Sequence, residues 1–272
     1  MDQDGDRSRA GVTRAPRAEP WDAEAVESRY FDRLVADHGK FDPFADQGWE
    51  ALRASFVRAV GGARLGMLVD VGCGTGHSRR LYVDHCERYV GIDLSGEALR
   101  AARRRFPHAG WVRANACRLP FAADSVGAVA FSSVLHHIDD FGAALQAAWA
   151  VLAPGGHVFA FDPNVFHPVL GPLRHPRSPL YLREGVSPNE RPLRPAALRA
   201  AFAAAGFVDI RQRCQSGIAY RAVAPRLLNA GLALYNLGDR LLESTGLGRW
   251  LGAFIVTAAH KPGGPRASHP RG

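Results

Sequence analysis

The chain has 272 residues and a net charge of +8, long enough to bury a substantial core as one α/β domain with additions. Its cationic excess is arginine spread throughout, with lysine only at Lys40 and Lys261, and no basic stripe with interleaved aromatics argues for nucleic acid as a partner. No run of eighteen apolar residues exists, which excludes a spanning helix.

In chain order, Met1 to Glu19 is polar and charged, so residues 1–20 are expected to be a disordered tail and neither a signal peptide nor a lipidation signal. Residues 22–36 are predicted as a helix, with Asp22 as a plausible cap. Phe41-Asp42-Pro43-Phe44 reads as an aromatic turn. Residues 45–60 follow as an amphipathic helix with Trp49, Leu52, Phe56, Val57 and Val60 near one face. The stretch Met67-Leu68-Val69-Asp70-Val71-Gly72-Cys73-Gly74-Thr75-Gly76 is a buried parallel strand, a tight turn and a predicted helix start over 75–84. Glycines at 72, 74 and 76 let the backbone take unusual φ/ψ and let a ligand approach closely, beside the free N–H groups of a helix N-terminus. The dinucleotide fingerprint needs G-x-G-x-x-G, and His77 stands where its third glycine would fall. Read alone, the turn also suits a nicotinamide or flavin site, or no ligand. A second apolar strand, 88–93, ends in Asp93 about twenty residues after Gly72, the spacing at which doubly wound folds place a carboxylate on ribose hydroxyls.

Further on, Ala114 to Phe121, Val129 to His137 and Val151 to Gly156 follow in order. With the D-x-G-x-G-x-G segment, these motifs resemble class I S-adenosylmethionine (SAM) dependent methyltransferases of the methyltransferase-11 type, which includes ubiquinone/menaquinone-biosynthesis and many small-molecule enzymes. The resemblance covers roughly residues 65–162. It implies SAM as cofactor, with S-adenosylhomocysteine as product, held by Asp70, Gly72, Cys73, Gly74, Gly76, Asp93, Leu94, Asn115, Ala116 and Ser132. In that family the residue after the ribose acid packs on adenine, here Leu94. Two departures stand out: Asn115 occupies a position that is often Asp, and Gly127 replaces an acid usual at the start of the fourth strand.

Strands are predicted near 67–71, 88–93, 110–113, 126–132 and 156–162, and helices near 95–105 and 140–152. This alternation requires crossovers and a parallel sheet. The fold expected is α/β: a Rossmann-like, seven-stranded, mostly parallel sheet with helices on both faces and an antiparallel last strand. The domain runs over 21–262 around a core of 65–162. Segments 21–60, 163–194 and 222–243 are expected to cover the site, and 263–272 to be a loose tail. Residues 163–194 are too long for a simple connection and carry Phe166, Leu170, Leu173, Leu180 and Tyr181, so an ordered cover is expected. Residues 195–205 read as a helix, 207–214 as a strand, 222–243 as one amphipathic stretch and 253–259 as the closing strand. The 222–243 stretch is too short and charged to span a bilayer; it can lie on a membrane or line a pocket.

Methyl transfer to a hydroxyl calls for a base. His136 and His137 at the tip of the fourth strand are the candidates, with Asp162 as a further one and His167 and His175 in the cover. Cys73, Cys86, Cys117 and Cys214 have no zinc or short pairing spacing, so no metal is expected and a cytoplasmic location is. The function read from this pattern is O-methylation of a sugar or hydroxylated metabolite. The alternatives are C- or O-methylation of an isoprenoid quinone or other lipid-like acceptor, and a non-catalytic SAM-binding protein. The partner is thus a partly apolar small molecule, with peripheral membrane contact open and the oligomeric state unspecified.

Overall fold

The computed structural model describes residues 20–38, 42–222 and 226–263. Of the tails expected at 1–20 and 263–272, residues 1–19 and 264–272 lie outside them, as does Phe41, while Pro20 begins a helix. Five strands run parallel: β1 (Leu65–Val71), β2 (Cys86–Asp93), β3 (Gly110–Arg113), β4 (Val126–Ser132) and β5 (Leu152–Pro163). The last two are β6 (Val208–Gln215) and β7 (Phe254–His260). The order is β3-β2-β1-β4-β5-β7-β6, with β7 antiparallel to both neighbours. The chain reverses its progress across the sheet between β1 and β4, so the loops after these two strands open a crevice at their carboxyl ends.

Alternation along the strands divides the core. Leu68, Ala128, Ala130, Phe159 and Phe161 face one layer, which holds α2 (Asp46–Val60) and α3 (Gly96–Arg105). Val69, Val71, Val129, Phe131, Val158 and Ala160 face the other, covered by α4 (Phe141–Val151) and α6 (Pro195–Ala204). Helix α1 (Pro20–His38) crosses above and packs on α3. Its Asp32 Oδ1 accepts from Ser95 Oγ at 2.6 Å and from the Glu97 N–H at 3.0 Å, which adds to the cap that Ser95 itself gives α3.

Two predicted elements differ. The helix expected over 75–84 is a pair of 3₁₀ turns, His77–Leu81 and Val83–His85. Only nine residues separate Gly76 from β2. Leu81 and Tyr82 are adjacent and both fully buried, which a tighter turn accommodates. The amphipathic stretch expected over 222–243 is a 3₁₀ turn, Arg226–Gly231, followed by α7 (Leu232–Ser244), with α8 (Gly248–Leu251) beyond it.

The cover segment is ordered by polar bonds as well as apolar packing. Asn164 Nδ2 donates to the Trp250 and Gly252 carbonyls at 3.1 and 2.9 Å. His167 Nδ1 accepts from the Leu170 N–H at 2.9 Å, starting the short α5 (Leu170–Arg174). The Arg191 N–H donates to the His136 carbonyl at 2.8 Å, which ties the cover to the loop after β4.

Candidate active site

A cavity of about 1500 Å³ opens at the carboxyl ends of the strands. One wall is the loop after β1. Gly72, Gly74 and Gly76 take φ values of +74°, +52° and +83°. A Cβ on Gly72 would lie 2.4 Å from Val134 Cβ, so only glycine fits between the loops after β1 and β4. The Gly74 N–H donates to Asp93 Oδ2 at 2.8 Å, and the Ser95 N–H to Oδ1 at 2.8 Å. Each carboxylate oxygen keeps a further lone pair for a ligand hydroxyl. Burial raises the Asp93 carboxyl, opposed by these two N–H bonds.

Asp70 does not line the cavity. It is fully buried and accepts from Ser78 Oγ (2.6 Å), Tyr89 OH (2.6 Å) and Ser132 Oγ (2.5 Å). Burial pushes its carboxyl up to about 6 despite the three hydroxyl donors. Asp70 therefore braces the wall from behind. Gly76 also stays out of the cavity, because Trp111 stands 2.8 Å from where its Cβ would be. Cys73, Leu94, Asn115, Ala116 and Ser132 line the cavity. The amide of Asn115 is already engaged: Oδ1 accepts from the Cys117 N–H at 2.7 Å, and Nδ2 donates to Glu24.

The opposite wall belongs to the cover. Phe44 and Trp49, and from residues 163–194 Leu170, Arg174 and Glu190, face the cavity. Among the described residues of the 222–243 stretch, only Ala222 and Asn229 reach it. The leucines of α7 do not. Leu234, Leu237 and Leu241 are exposed, while Asp239 is buried. The apolar face is turned outward because Asp239 Oδ2 accepts from the Gly217 N–H at 2.6 Å.

Between the walls stand two imidazoles, with ring centroids 4.0 Å apart. His137 Nδ1 lies 2.7 Å from Glu27 Oε1 and 2.8 Å from Ser187 Oγ, and Ser187 in turn donates to Glu27. Burial raises the Glu27 carboxyl, but the hydrogen bond and positive field of His137 more than offset it and leave it below its usual range. Phe31 packs edge-on against the His137 ring. This fixes Nδ1 as the donor and leaves Nε2 as the free acceptor.

His136 has a similar partner. Asp162 Oδ1 accepts from its Nδ1 at 2.9 Å and from its backbone N–H at 3.1 Å. Asp162 is fully buried behind His136 and outside the cavity, so it acts through the imidazole and not on a substrate. Burial drives both groups toward their neutral forms, with the Asp162 carboxyl pushed up to about 8 and the His136 imidazole pushed down. His167 is buried against α7, with Nε2 3.7 Å from Asp239 Oδ1, away from the pair. His175 ends α5 outside the cavity.

Glu190 completes the cluster; a ligand atom each from His136, His137 and Glu190 lies within 4.8 Å of the others. Arg174 Nη1 bonds Glu190 Oε1 at 2.7 Å and neutralises it where a cation would sit. Burial would raise Glu190, but the Arg174 charge holds it below its usual range. The trio therefore reads as a proton-handling cluster. Sequence reasoning missed Glu27, Ser187, Glu190 and Arg174. Glu27 left a trace: it precedes Phe31 and Leu34 by four and seven residues, so an acid sits on the apolar face of its helix.

Comparison with known proteins bears on the family and the fold. Residues 69–160 match the methyltransferase-11 family, described as a methyltransferase domain. A demethylmenaquinone methyltransferase of Renibacterium salmoninarum is 34% identical over 126 residues, 46% of this chain and 51% of the relative. A ubiquinone/menaquinone biosynthesis C-methyltransferase of Desulfotalea psychrophila is 32% identical over 162 residues, 58% of this chain and 63% of the relative. The chain thus spans between half and two thirds of the length of these curated relatives. Among solved structures, a SAM-dependent methyltransferase from Mesorhizobium loti superposes with a TM-score of 0.56 at 22% identity, over 80% of this chain and 99% of that one. At that identity the likeness is one of fold.

Proposed function

With residues 69–160 forming a methyltransferase domain inside a class I methyltransferase sheet, we propose that the protein transfers the methyl group of SAM to a partly apolar small molecule bearing an ionisable hydroxyl. The quinone-like reading now stands ahead of the sugar reading expected first. The relatives above are named for menaquinone and ubiquinone synthesis. The acceptor side of the cavity is also walled by Phe31, Leu34, Phe44, Trp49 and Phe254, which suit an aromatic or prenyl group better than a sugar.

One observation carries the proposal: a single cavity joins the glycine loop and Asp93 to the paired imidazoles. The residues present fit SAM. Gly74 lines the cavity with open space where a Cβ would stand, and Asp93 offers two oxygens at the cavity wall. When bound, SAM supplies an electrophilic methyl group on a sulfonium. The chain's own part is to orient the acceptor, exclude water and take a proton. His137 Nε2 receives the hydroxyl proton while Glu27 steadies Nδ1–H. The oxyanion so formed is the nucleophile for O-methylation, and it equally enriches a ring carbon for C-methylation. His136 flanks it, held by Asp162. Arg174, paired with Glu190, lines the same cavity.

Titration calorimetry with SAM, S-adenosylhomocysteine and a nicotinamide cofactor tests the donor site. Asp93→Ala removes two charge-assisted hydrogen bonds worth at least about 1.5 kcal/mol each, so SAM affinity should fall about 100-fold or more. Equal affinity in the variant would remove Asp93 from the site. Tighter binding of the nicotinamide cofactor would overturn the proposal.

A further inference from the structure

Helix α7 is amphipathic in the wrong sense for a core helix. Leu234, Leu237 and Leu241, spaced three and four apart, form one stripe with relative exposures of 75%, 48% and 57%. Leu247 and Trp250, at 51% and 66%, follow in the turn after α7 and in α8, which packs against it. The polar side is what the protein buries. Asp239 holds the Gly217 N–H, and Asn236 pairs with Tyr220 through both its amide groups, Oδ1 accepting from the N–H at 3.0 Å and Nδ2 donating to the carbonyl at 2.9 Å. Rolling the leucines inward would break all three bonds, so the exposed stripe is a fixed feature of the fold. Solvent-exposed apolar area of this kind marks an interaction surface.

We propose that this surface docks the enzyme on an anionic lipid bilayer. Three observations favour that occupant. Arg240 and Arg249 are exposed at the stripe, with the Arg249 guanidinium 5.8 Å from the centroid of the Trp250 ring, and the whole chain carries +8. Arginine beside tryptophan and leucine suits a headgroup–acyl boundary with negative charge. Residues 1–19 and 264–272 contain no leucine, isoleucine, phenylalanine or tryptophan with which to cover the stripe. The surface also adjoins the mouth of the cavity: Tyr220, whose backbone Asn236 grips, and Asn229, just before α7, both line it. An α7 of 13 residues, about 20 Å long, lies along such a surface; among the described residues no helix is long and apolar enough to cross a membrane. The docking surface rests on α7, the turn after it and α8, and not on the identity of the acceptor. Joined to the lipid-like acceptor, it lets the acceptor pass from bilayer to cavity without crossing water.

The test is co-sedimentation of the full chain with vesicles of phosphatidylcholine alone and of phosphatidylcholine with phosphatidylglycerol. The wild type should bind the anionic vesicles, and added salt should weaken binding. Leu234→Ser with Leu237→Ser and Leu241→Ser should cut partitioning at least about 100-fold, and Arg240→Glu with Arg249→Glu should abolish the preference for phosphatidylglycerol. SAM affinity should be unchanged in both, which also shows that they fold. Failure of the wild type to bind either vesicle overturns the proposal. So does a dimer of the wild type that the leucine variant dissociates, which would assign the stripe to a second copy of the chain. Vesicle binding without methyl transfer would instead strike at the acceptor reading and leave the surface standing.

Discussion

Replacing Glu27 by Gln isolates the part of the site that the sequence did not reveal. The side chain keeps its size and still accepts from Ser187, but its charge beside His137 is gone. The substitution takes the charge out of a 2.7 Å hydrogen bond between two largely buried groups. Such a bond is worth about 1.5–3 kcal/mol. If it acts mainly as proton transfer proceeds, when positive charge builds on the imidazole, the turnover number falls about 10- to 150-fold. Steady-state rates with a saturating quinol acceptor, with SAM affinity measured in parallel, provide the assay. A fall in turnover below about threefold would refute the role of Glu27. An equal loss of SAM affinity would refute it too, because that would make Glu27 a brace for the donor site.

Substituting the neighbour directly, His137→Gln should lower turnover by about 10²–10⁴ and leave SAM affinity nearly unchanged, as rates and calorimetry together would show. In the glycine loop, Gly72→Ala combines a φ of +74° with a Cβ 2.4 Å from Val134, and should cost about 2–5 kcal/mol in urea unfolding. Gly74→Ala, at +52° with open space around its Cβ, should cost only about 1–2 kcal/mol, so equal losses would mean that the Val134 clash does not matter. Asp162 gives a pH signature. Its folded carboxyl titrates at about 8 against an ordinary value of 3.8, so between those pH values the folded state binds more protons than the unfolded one and stability declines as pH rises. Asp162→Asn removes that decline, and melts at about pH 5 and 9 should show a smaller loss for the variant than for the wild type; equal losses would mean that the carboxyl is ionised in the fold.

The sheet was legible because each parallel strand is a short apolar run closed by an acid, glycine or polar turn, a pattern that needs no knowledge of tertiary neighbours. Asp93 and the glycines were legible for the same reason: backbone conformation and spacing fix them locally. Depth was not. Asp70 and Asp93 each end an apolar run, yet one braces three hydroxyls out of reach of the cavity and the other faces it. The difference lies in Ser78, Tyr89 and Ser132, which come from three separate stretches. Asp162 stands in the same position, visible as an acid at a strand end and invisible as the partner of His136. The apolar content of 222–243 is plain in the sequence, but its direction is not, because Asp239 decides it through the backbone of Gly217, 22 residues away. Glu27 lies about 110 residues from the imidazole it supports, a pairing that only the crossing of α1 over the sheet creates.

The central claim is tested most directly by incubating the purified protein with methyl-labelled SAM and a panel of acceptors: a short-chain prenylated quinol, an unprenylated hydroxylated aromatic and a sugar nucleotide, with mass spectrometry of the products. The account predicts label on the prenylated quinol with the wild type, and none with His137→Gln even though that variant still binds SAM. Label on the sugar nucleotide alone, or SAM binding with no transfer to any acceptor, would contradict it.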